Sequence, residues 1–465
     1  SLMPFPSPQR LLKTLFPCTN LALLNWNHRA QLCLVILCML ATATGCTKST
    51  TPGDNTPASL PSQDAEKTPP PPTKPAVEKK KGQPAAVAQL PAPEPLPLSE
   101  EELADGWIRL FDGSTLFGWQ ATSHADWQVV DGAITVSQGD KGLLCTTTAF
   151  SNYVLSVEFR SAKGTNSGIF LQTAPIPKDP ARDCYELNIA DADNPFPTGS
   201  LVKRQKVNGS FDSTDWQRYE VTVLGDTVTV VLDGQEILQY QDTKPLQRGV
   251  IGLQLNEGQV AFRNIKLKPL ELASLFNGKD LQGWKTYPDM ASKFTVNNEG
   301  WLNVQDGRGQ LETERMLGDF VLQLECITHA ADLNSGIFFR CIPGDVMMGY
   351  ECQIHNGVEN QDATKPKDCG TGGFFRRQDA RRVVAEDLKW FYQTLIVNGP
   401  HMAAWVNGYQ VSDWTDTRPA HENPRKGLRV EAGTIMIQGH DPTTNISFRN
   451  LKAAELPTRS TPPAP

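Results

Sequence analysis

The chain has 465 residues, 39% hydrophobic and 20% charged, with 35 prolines, 36 glycines and 10 cysteines; this length implies more than one domain and excludes a mini-protein. A formal net charge of -7, with no basic block longer than Lys79-Lys80-Lys81, leaves no electrostatic footprint for nucleic acid. The one apolar run of note, Leu32 to Ala43, falls short of the roughly 20 residues that a membrane-spanning helix needs.

Arg10, Lys13, His28 and Arg29 precede that run, and small residues follow it as far as Cys46. This is the layout of an export signal over residues 1–45. The ending Ala43-Thr44-Gly45-Cys46 resembles a bacterial lipobox, with Ala43 where leucine is usual. It implies that Cys46 carries a lipid anchor on a periplasmic or cell-surface protein, the alternative being an ordinary secretory signal cut nearby. Residues 46–103 form the next segment, rich in Pro, Ser, Thr, Lys and Ala and containing Pro69-Pro70-Pro71-Pro72; no aromatic residue occurs from Thr47 to Leu98. Such a composition cannot bury a core and predicts a disordered, extended tether. Six cysteines follow it: Cys145 and Cys184, then Cys326, Cys341, Cys352 and Cys369. Even counts in an exported protein permit disulfides, and no CxxC pair suggests zinc.

The remainder repeats itself. Leu110-Phe111-Asp112-Gly113 leading to Gly118-Trp119 answers Leu275-Phe276-Asn277-Gly278 leading to Gly283-Trp284. Asn166-Ser167-Gly168-Ile169-Phe170 answers Asn334-Ser335-Gly336-Ile337-Phe338, and Tyr185-Glu186 answers Tyr350-Glu351. Trp216 answers Trp390, and Phe262-Arg263-Asn264-Ile265 answers Phe448-Arg449-Asn450-Leu451. Repeats of this size are duplicated domains, here residues 104–270 and 271–455 with a tail over 456–465. Within them, short alternating runs such as Tyr153 to Phe159 predict half-buried strands. Asp233-Gly234 and Asn407-Gly408 predict tight hairpins, because both pairs tolerate positive φ. Ala380 to Leu388 is the only stretch that predicts a turn or two of helix. The four repeated tryptophans are expected in the core rather than stacked on sugars. The fold class expected is all-β, two tandem jelly-roll sandwiches.

The ordered motifs, LFDG…GW, NSGIF, YE, TG, W, DG or NG and FRN, resemble the 3-keto-disaccharide hydrolase domain family, also described as 3-keto-glucoside 1,2-lyase/3-keto-2-hydroxy-glucal hydratase. The resemblance covers both copies. It implies a concanavalin A-like fold and an exported enzyme that cleaves glycosides whose glucose carries a ketone at C3. The alternative is a non-catalytic tandem carbohydrate-binding protein of the cell envelope, since one sandwich serves lectins and enzymes alike.

Period-two alternation puts Glu351, Gln353 and His355 on one face of a strand, opposite Tyr350, Cys352 and Ile354. The same reading groups Asn334, Gly336, Phe338 and Arg340. Glu351 or His355 is the expected base, and Arg340 or a divalent cation the expected stabiliser of an enolate. Asn334, Gln353 and Arg376 in the second copy, with Asn166 and Asn188 in the first, are expected to bind substrate. The first copy has Ala190 for His355 and Gln172 for Arg340, so the second copy is expected to be the active one. Glu186 and Asp191, the latter matching a family carboxylate after the YE strand, would form a site for calcium or a transition metal. No Gly-x-Ser-x-Gly, phosphate-cradling glycine loop or His-Glu-x-x-His is present, which removes serine hydrolases, nucleotide enzymes and zinc proteases.

Overall fold

Strands form where apolar residues alternate with polar ones, and in each half of the molecule they assemble into two antiparallel sheets with a core between them. The computed structural model describes residues 92–459; the expected export signal, Cys46 and most of the expected tether lie outside them. In the first copy the eight-stranded sheet is ordered Gln235–Gln241, Thr227–Leu232, Gln217–Leu224, Tyr153–Ser161, Val260–Pro269, Ala133–Val136, Gln128–Val130, with Ile108–Arg109 also paired to Val260–Pro269. Its partner has five strands: Trp119–Ala121, Gly142–Thr146, Val250–Leu255, Asn166–Thr173 and Tyr185–Ala190. The second copy repeats this plan, its five-stranded sheet running Trp284–Lys285, Gly309–Leu317, Gly433–Gly439, Ser335–Cys341, Tyr350–Ile354. Both are β-sandwiches of the jelly-roll kind.

The alternation decides what fills each sandwich. Tyr153, Leu155, Val157 and Phe159 of one sheet meet Ile169, Leu171, Tyr185, Leu187 and Ile189 of the other. In the second copy Phe320, Leu322, Leu324 and Cys326 meet Ile337, Phe339, Tyr350, Cys352 and Ile354. Asp233-Gly234 and Asn407-Gly408 turn their hairpins with φ of 47° and 86°, and 48° and 74°, the positive pair that a two-residue loop of this hand requires.

Several motifs prove to be structural. Trp119 Nε1 donates to Leu110 O (2.6 Å) and Trp284 Nε1 to Leu275 O (2.8 Å), closing the loop between the two halves of each LFDG…GW motif. Trp216 and Trp390, expected in the core, instead lie half-buried on the outer face of each large sheet. Arg263 and Arg449 each stack 4.0 Å over their ring. Each arginine also pairs at 2.7 Å with a neighbouring glutamate, Glu158 or Glu325. Asn264 and Asn450 bond the same carboxylates from positive-φ positions at a strand bulge. The FRN motif is therefore a latch on a bulge, and its tryptophan is the lid of that latch.

Three expectations are corrected. Ala380 to Leu388 forms no helix; its backbone is drawn to other segments, Arg381 N to Val411 O and Val383 N to Ala363 O. Helix appears instead at Glu100–Ala104, where Ser99 and Glu102 make a capping box, and at Pro180–Asp183. All six described cysteines are free thiols, and all are buried. The end of the expected tether is ordered: Pro93 O accepts from Tyr409 Oη (3.1 Å) and Pro97 O from Arg109 Nη2 (2.8 Å).

The two sandwiches belong to one compact unit. One strand shows how. In His401–Val406, Met402, Ala404 and Val406 point into the second copy's core while Ala403 and Trp405 join the first copy's core. Trp405 Nε1 donates to Arg109 O at 2.9 Å, and Arg381 pairs with Asp112 at 2.9 Å.

Candidate active site

The outer face of each five-stranded sheet carries the side chains that the core does not use. In the second copy Glu312, Met436, Phe338 and Glu351 are successive cross-strand partners and form one row. Cys145, Gly252, Phe170 and Glu186 form the same row in the first copy. The NSG glycine lies beside the glutamate. A Cβ on Gly336 would stand 2.8 Å from Glu351 Oε1, and one on Gly168 would stand 3.5 Å from Glu186 Cγ and 3.6 Å from Gln254 Oε1. The missing side chain is thus the space into which the carboxylate folds.

Burial dominates the chemistry of both glutamates. It pushes the Glu351 carboxyl up to about 7, against the opposing pull of Arg425 and Arg376 and with help from Asp368. It likewise pushes Glu186 up to about 7, against a hydrogen bond from Gln254 and the charge of Lys203. A carboxylate with this affinity for a proton is matched to proton transfer near neutral pH. Glu351 opens into a cavity of about 100 Å³ lined by Phe338, Tyr350, Phe375, Arg376, Arg377 and Arg425 among others. Arg376, expected at the site, is there, at positive φ and stacked 5.2 Å over Phe375.

Beside the carboxylate lies a set of amides. Gln353 Nε2 donates to Asp368 O (3.0 Å) and Asp368 Oδ2 (2.9 Å), and Asn334 Nδ2 donates to the same carboxylate. Both amide groups are oriented by those bonds, which leaves Asn334 Oδ1 and Gln353 Oε1 buried without a protein partner; Gln438 Oε1 is equally unpartnered. In the first copy Asn188 Oδ1 and Gln254 Oε1 are likewise unpartnered. Buried acceptors of this kind call for donors from water or a ligand. The Asn166 backbone bonds Glu257, and its half-exposed side chain stays at the strand's start.

Other expected residues fall elsewhere. Arg340 is fully buried at a strand bulge with φ of 48°, and its guanidinium is consumed by Gly318 O, Gly399 O, Arg429 O and Asp319. The bulge breaks the alternation that grouped it with Phe338. Gln172 occupies the same bulge in the first copy, at φ 45°, and likewise bonds backbone carbonyls of Ser151 and Gln247. The exchange of Arg340 for Gln172 therefore concerns packing. His355 is buried, its Nδ1 accepting from Gly357 N at 3.1 Å. It stands four residues from Glu351, roughly 13 Å along a strand, too far to share one proton with it. The strand does not bring Glu186 and Asp191 together. They are five residues apart, about 16 Å, and of opposite parity along the chain; Asp191 instead accepts from Gly164 N at 2.8 Å. Among the described residues no group of three or more His, Cys, Asp or Glu is placed to hold a metal.

The sequence reading missed Arg425, which a long loop delivers, and Lys203, which aligns with Arg376 and is also at positive φ, 59° against 58°. It also missed Glu312, which accepts from Thr434 Oγ1 (2.6 Å), Gly344 N (3.2 Å) and Tyr287 Oη and so ties a crossing loop to the sheet. Gln254 and Gln438 were legible in principle as the same residue at the same place in both copies.

The model of the 3-keto-alpha-glucoside-1,2-lyase-like domain matches residues 106–268 and again 271–454, and the chain belongs to that family. A 3-keto-disaccharide hydrolase of Bacteroides thetaiotaomicron is 26% identical over 232 residues, covering 36% of this chain and 80% of the relative. Among solved structures, a Parabacteroides distasonis protein provisionally assigned as a glycosyl hydrolase is 22% identical. It covers 37% of this chain and 98% of its own, with a TM-score of 0.34. The carbohydrate-binding module CBM66 of Bacillus subtilis is 14% identical, covering 32% and 95%, with a TM-score of 0.27.

Proposed function

We propose that the second copy cleaves 3-keto-glucosides by elimination, with Glu351 as the base. A ketone at C3 acidifies the C2 proton. Glu351 takes that proton, the C–H electron pair moves into the C2–C3 enolate, and the enolate expels the C1 oxygen, which takes up a proton as the aglycone leaves. Addition of water across C1 and C2 of the resulting 2-hydroxy-glucal gives 3-keto-glucose, so the sum is hydrolysis. The enolate's negative charge develops beside Arg376, which takes the part first expected of Arg340. No step is routed through a metal, because the carboxylates expected to hold one are not together. The observation that carries this reading is one carboxyl, folded over Gly336, pushed up to about 7 by burial and faced by guanidinium groups.

In the first copy a binding role is favoured by one observation: Lys203, which stands where the second copy has Arg376, is shared with Asp179 at 3.4 Å. The export signal and Cys46 would place both sites on the cell envelope. Full-length protein incubated with 3-keto-trehalose should release 3-keto-glucose, whereas trehalose should not react, and deuterium at C2 should slow the reaction. Absence of turnover with every 3-keto-glucoside tried would leave only the carbohydrate-binding alternative.

A further inference from the structure

The cavity at Glu351 holds more positive charge than an enolate requires. Arg376, Arg377 and Arg425 all line it, and among the described residues none of the three has a carboxylate within ion-pairing distance. The first copy neutralises the same positions. Arg204, which aligns with Arg377, pairs with Asp242 at 2.8 Å with both side chains buried, and lies 4.5 Å over the Tyr185 ring. In the second copy the matching carboxylate is Asp416, which accepts from Tyr350 Oη at 2.8 Å just as Asp242 accepts from Tyr185 Oη at 2.9 Å. Asp416 is claimed instead by Arg418, through Nε and Nη2, each at 2.8 Å. Arg377 is thereby released. It donates only to carbonyls, Arg376 O (3.2 Å) and Arg425 O (3.0 Å). Burial and the adjacent Arg418 depress its proton affinity, against the weaker pull of Asp416.

The loop that brings Arg418 also brings Arg425, whose Nη2 is held by Met347 O at 2.7 Å, so that its head is fixed at the cavity wall. The nearby carboxylates do not balance this set: Asp368 is occupied by the Asn334 and Gln353 amides, Asp416 by Arg418, and Glu351, with its proton affinity raised by burial, is a single carboxyl facing three guanidinium groups.

We propose that the second-copy site recognises an acidic sugar, with a carboxylate, sulfate or phosphate group of the ligand held by Arg377 and Arg425 while its ring lies against Glu351. Planar guanidinium groups fixed through part of their donor set suit such oxyanions, and leaving them unmatched disfavours a neutral ligand. The inference rests on reading Glu351 as the site, but not on the elimination chemistry. Calorimetric titration of the full chain with glucose, glucuronate, glucose 6-sulfate and glucose 6-phosphate tests it without any turnover.

At least one acid should bind about tenfold or more tightly than glucose at low ionic strength. Salt should erode the preference, and Arg377→Gln or Arg425→Gln should remove it. The best of the three acids identifies the anionic group. Equal affinity for glucose and all three acids in the wild-type protein overturns the proposal, as does a preference that both substitutions leave intact. Inorganic phosphate binding as tightly as the sugar phosphate would also overturn it, because the ring would then contribute nothing. Acid preference without turnover of any 3-keto-glucoside would sustain this inference while ending the elimination reading.

Discussion

Glu351 and Glu186 are held where ionisation is disfavoured, and stability and reactivity therefore pull against each other at these two residues. A carboxyl raised from 4.5 to about 7 binds its proton more tightly in the folded state than in the unfolded one. Its contribution to stability is present in full below about pH 4.5 and is lost as the pH rises through about 7. Glu351→Gln and Glu186→Gln remove that loss, and each should stabilise the protein at pH 8 by on the order of 1–3 kcal/mol, with little effect at pH 4.5. Urea unfolding at the two pH values measures the difference; equal gains at both would show the carboxyls to be ordinary. The same Glu351→Gln change should lower kcat on a 3-keto-glucoside by roughly a hundredfold or more. In the wild-type protein kcat/KM should climb with pH up to about 7 and then level, because the base works only when ionised.

At the scale of the strand, alternation is a good guide until a bulge interrupts it. Glu351 and Gln353 were legible because the Tyr350–Ile354 strand is regular. Tyr350, Cys352 and Ile354 go to the core and the others must face out. Arg340 was not, because its strand slips register between Phe338 and Cys341, and nothing in that run of residues announces a bulge. Arg425 was illegible for a different reason: a loop's path is set by contacts distant in sequence, here Met347 O, and no periodicity encodes it. The NSG motif was visible while its purpose was not, since the space it leaves exists only once Glu351 is beside it. Gly336→Ala should displace the Glu351 carboxylate, because the new methyl would lie 2.8 Å from Oε1. Activity should fall about tenfold or more while circular dichroism stays unchanged. Arg340→Ala should do the reverse. Removing a buried guanidinium from Asp319 and three carbonyls should cost about 3 kcal/mol in denaturant unfolding, with kcat of the folded fraction nearly intact.

For the whole molecule, the consequence of duplication is a shared interior rather than two separate beads. The runs Leu395-Ile396-Val397 and Met402-Ala403-Ala404-Trp405-Val406 are apolar on both faces, a pattern of strands buried on two sides. Leu395 and Val397 fill the second copy's core while Ile396, with Ala403 and Trp405, fills the first copy's. Charge reinforces the seam, since Asp319 pairs with Arg340 of its own copy at 2.8 Å and with Arg248 of the other at 2.6 Å. Two sandwiches joined through a common apolar layer should melt together, so calorimetry of the full chain should give one transition rather than two. Trp405 is the residue on which to test this, being 1% exposed and anchored across the seam to Arg109 O. Trp405→Ala should cost about 3–5 kcal/mol. Although the residue belongs to the second copy, amide exchange should quicken in the first copy's Tyr153–Ser161 strand as well as in its own. Faster exchange in the second copy alone would mean that the two cores are energetically independent, and that the shared layer packs without coupling them.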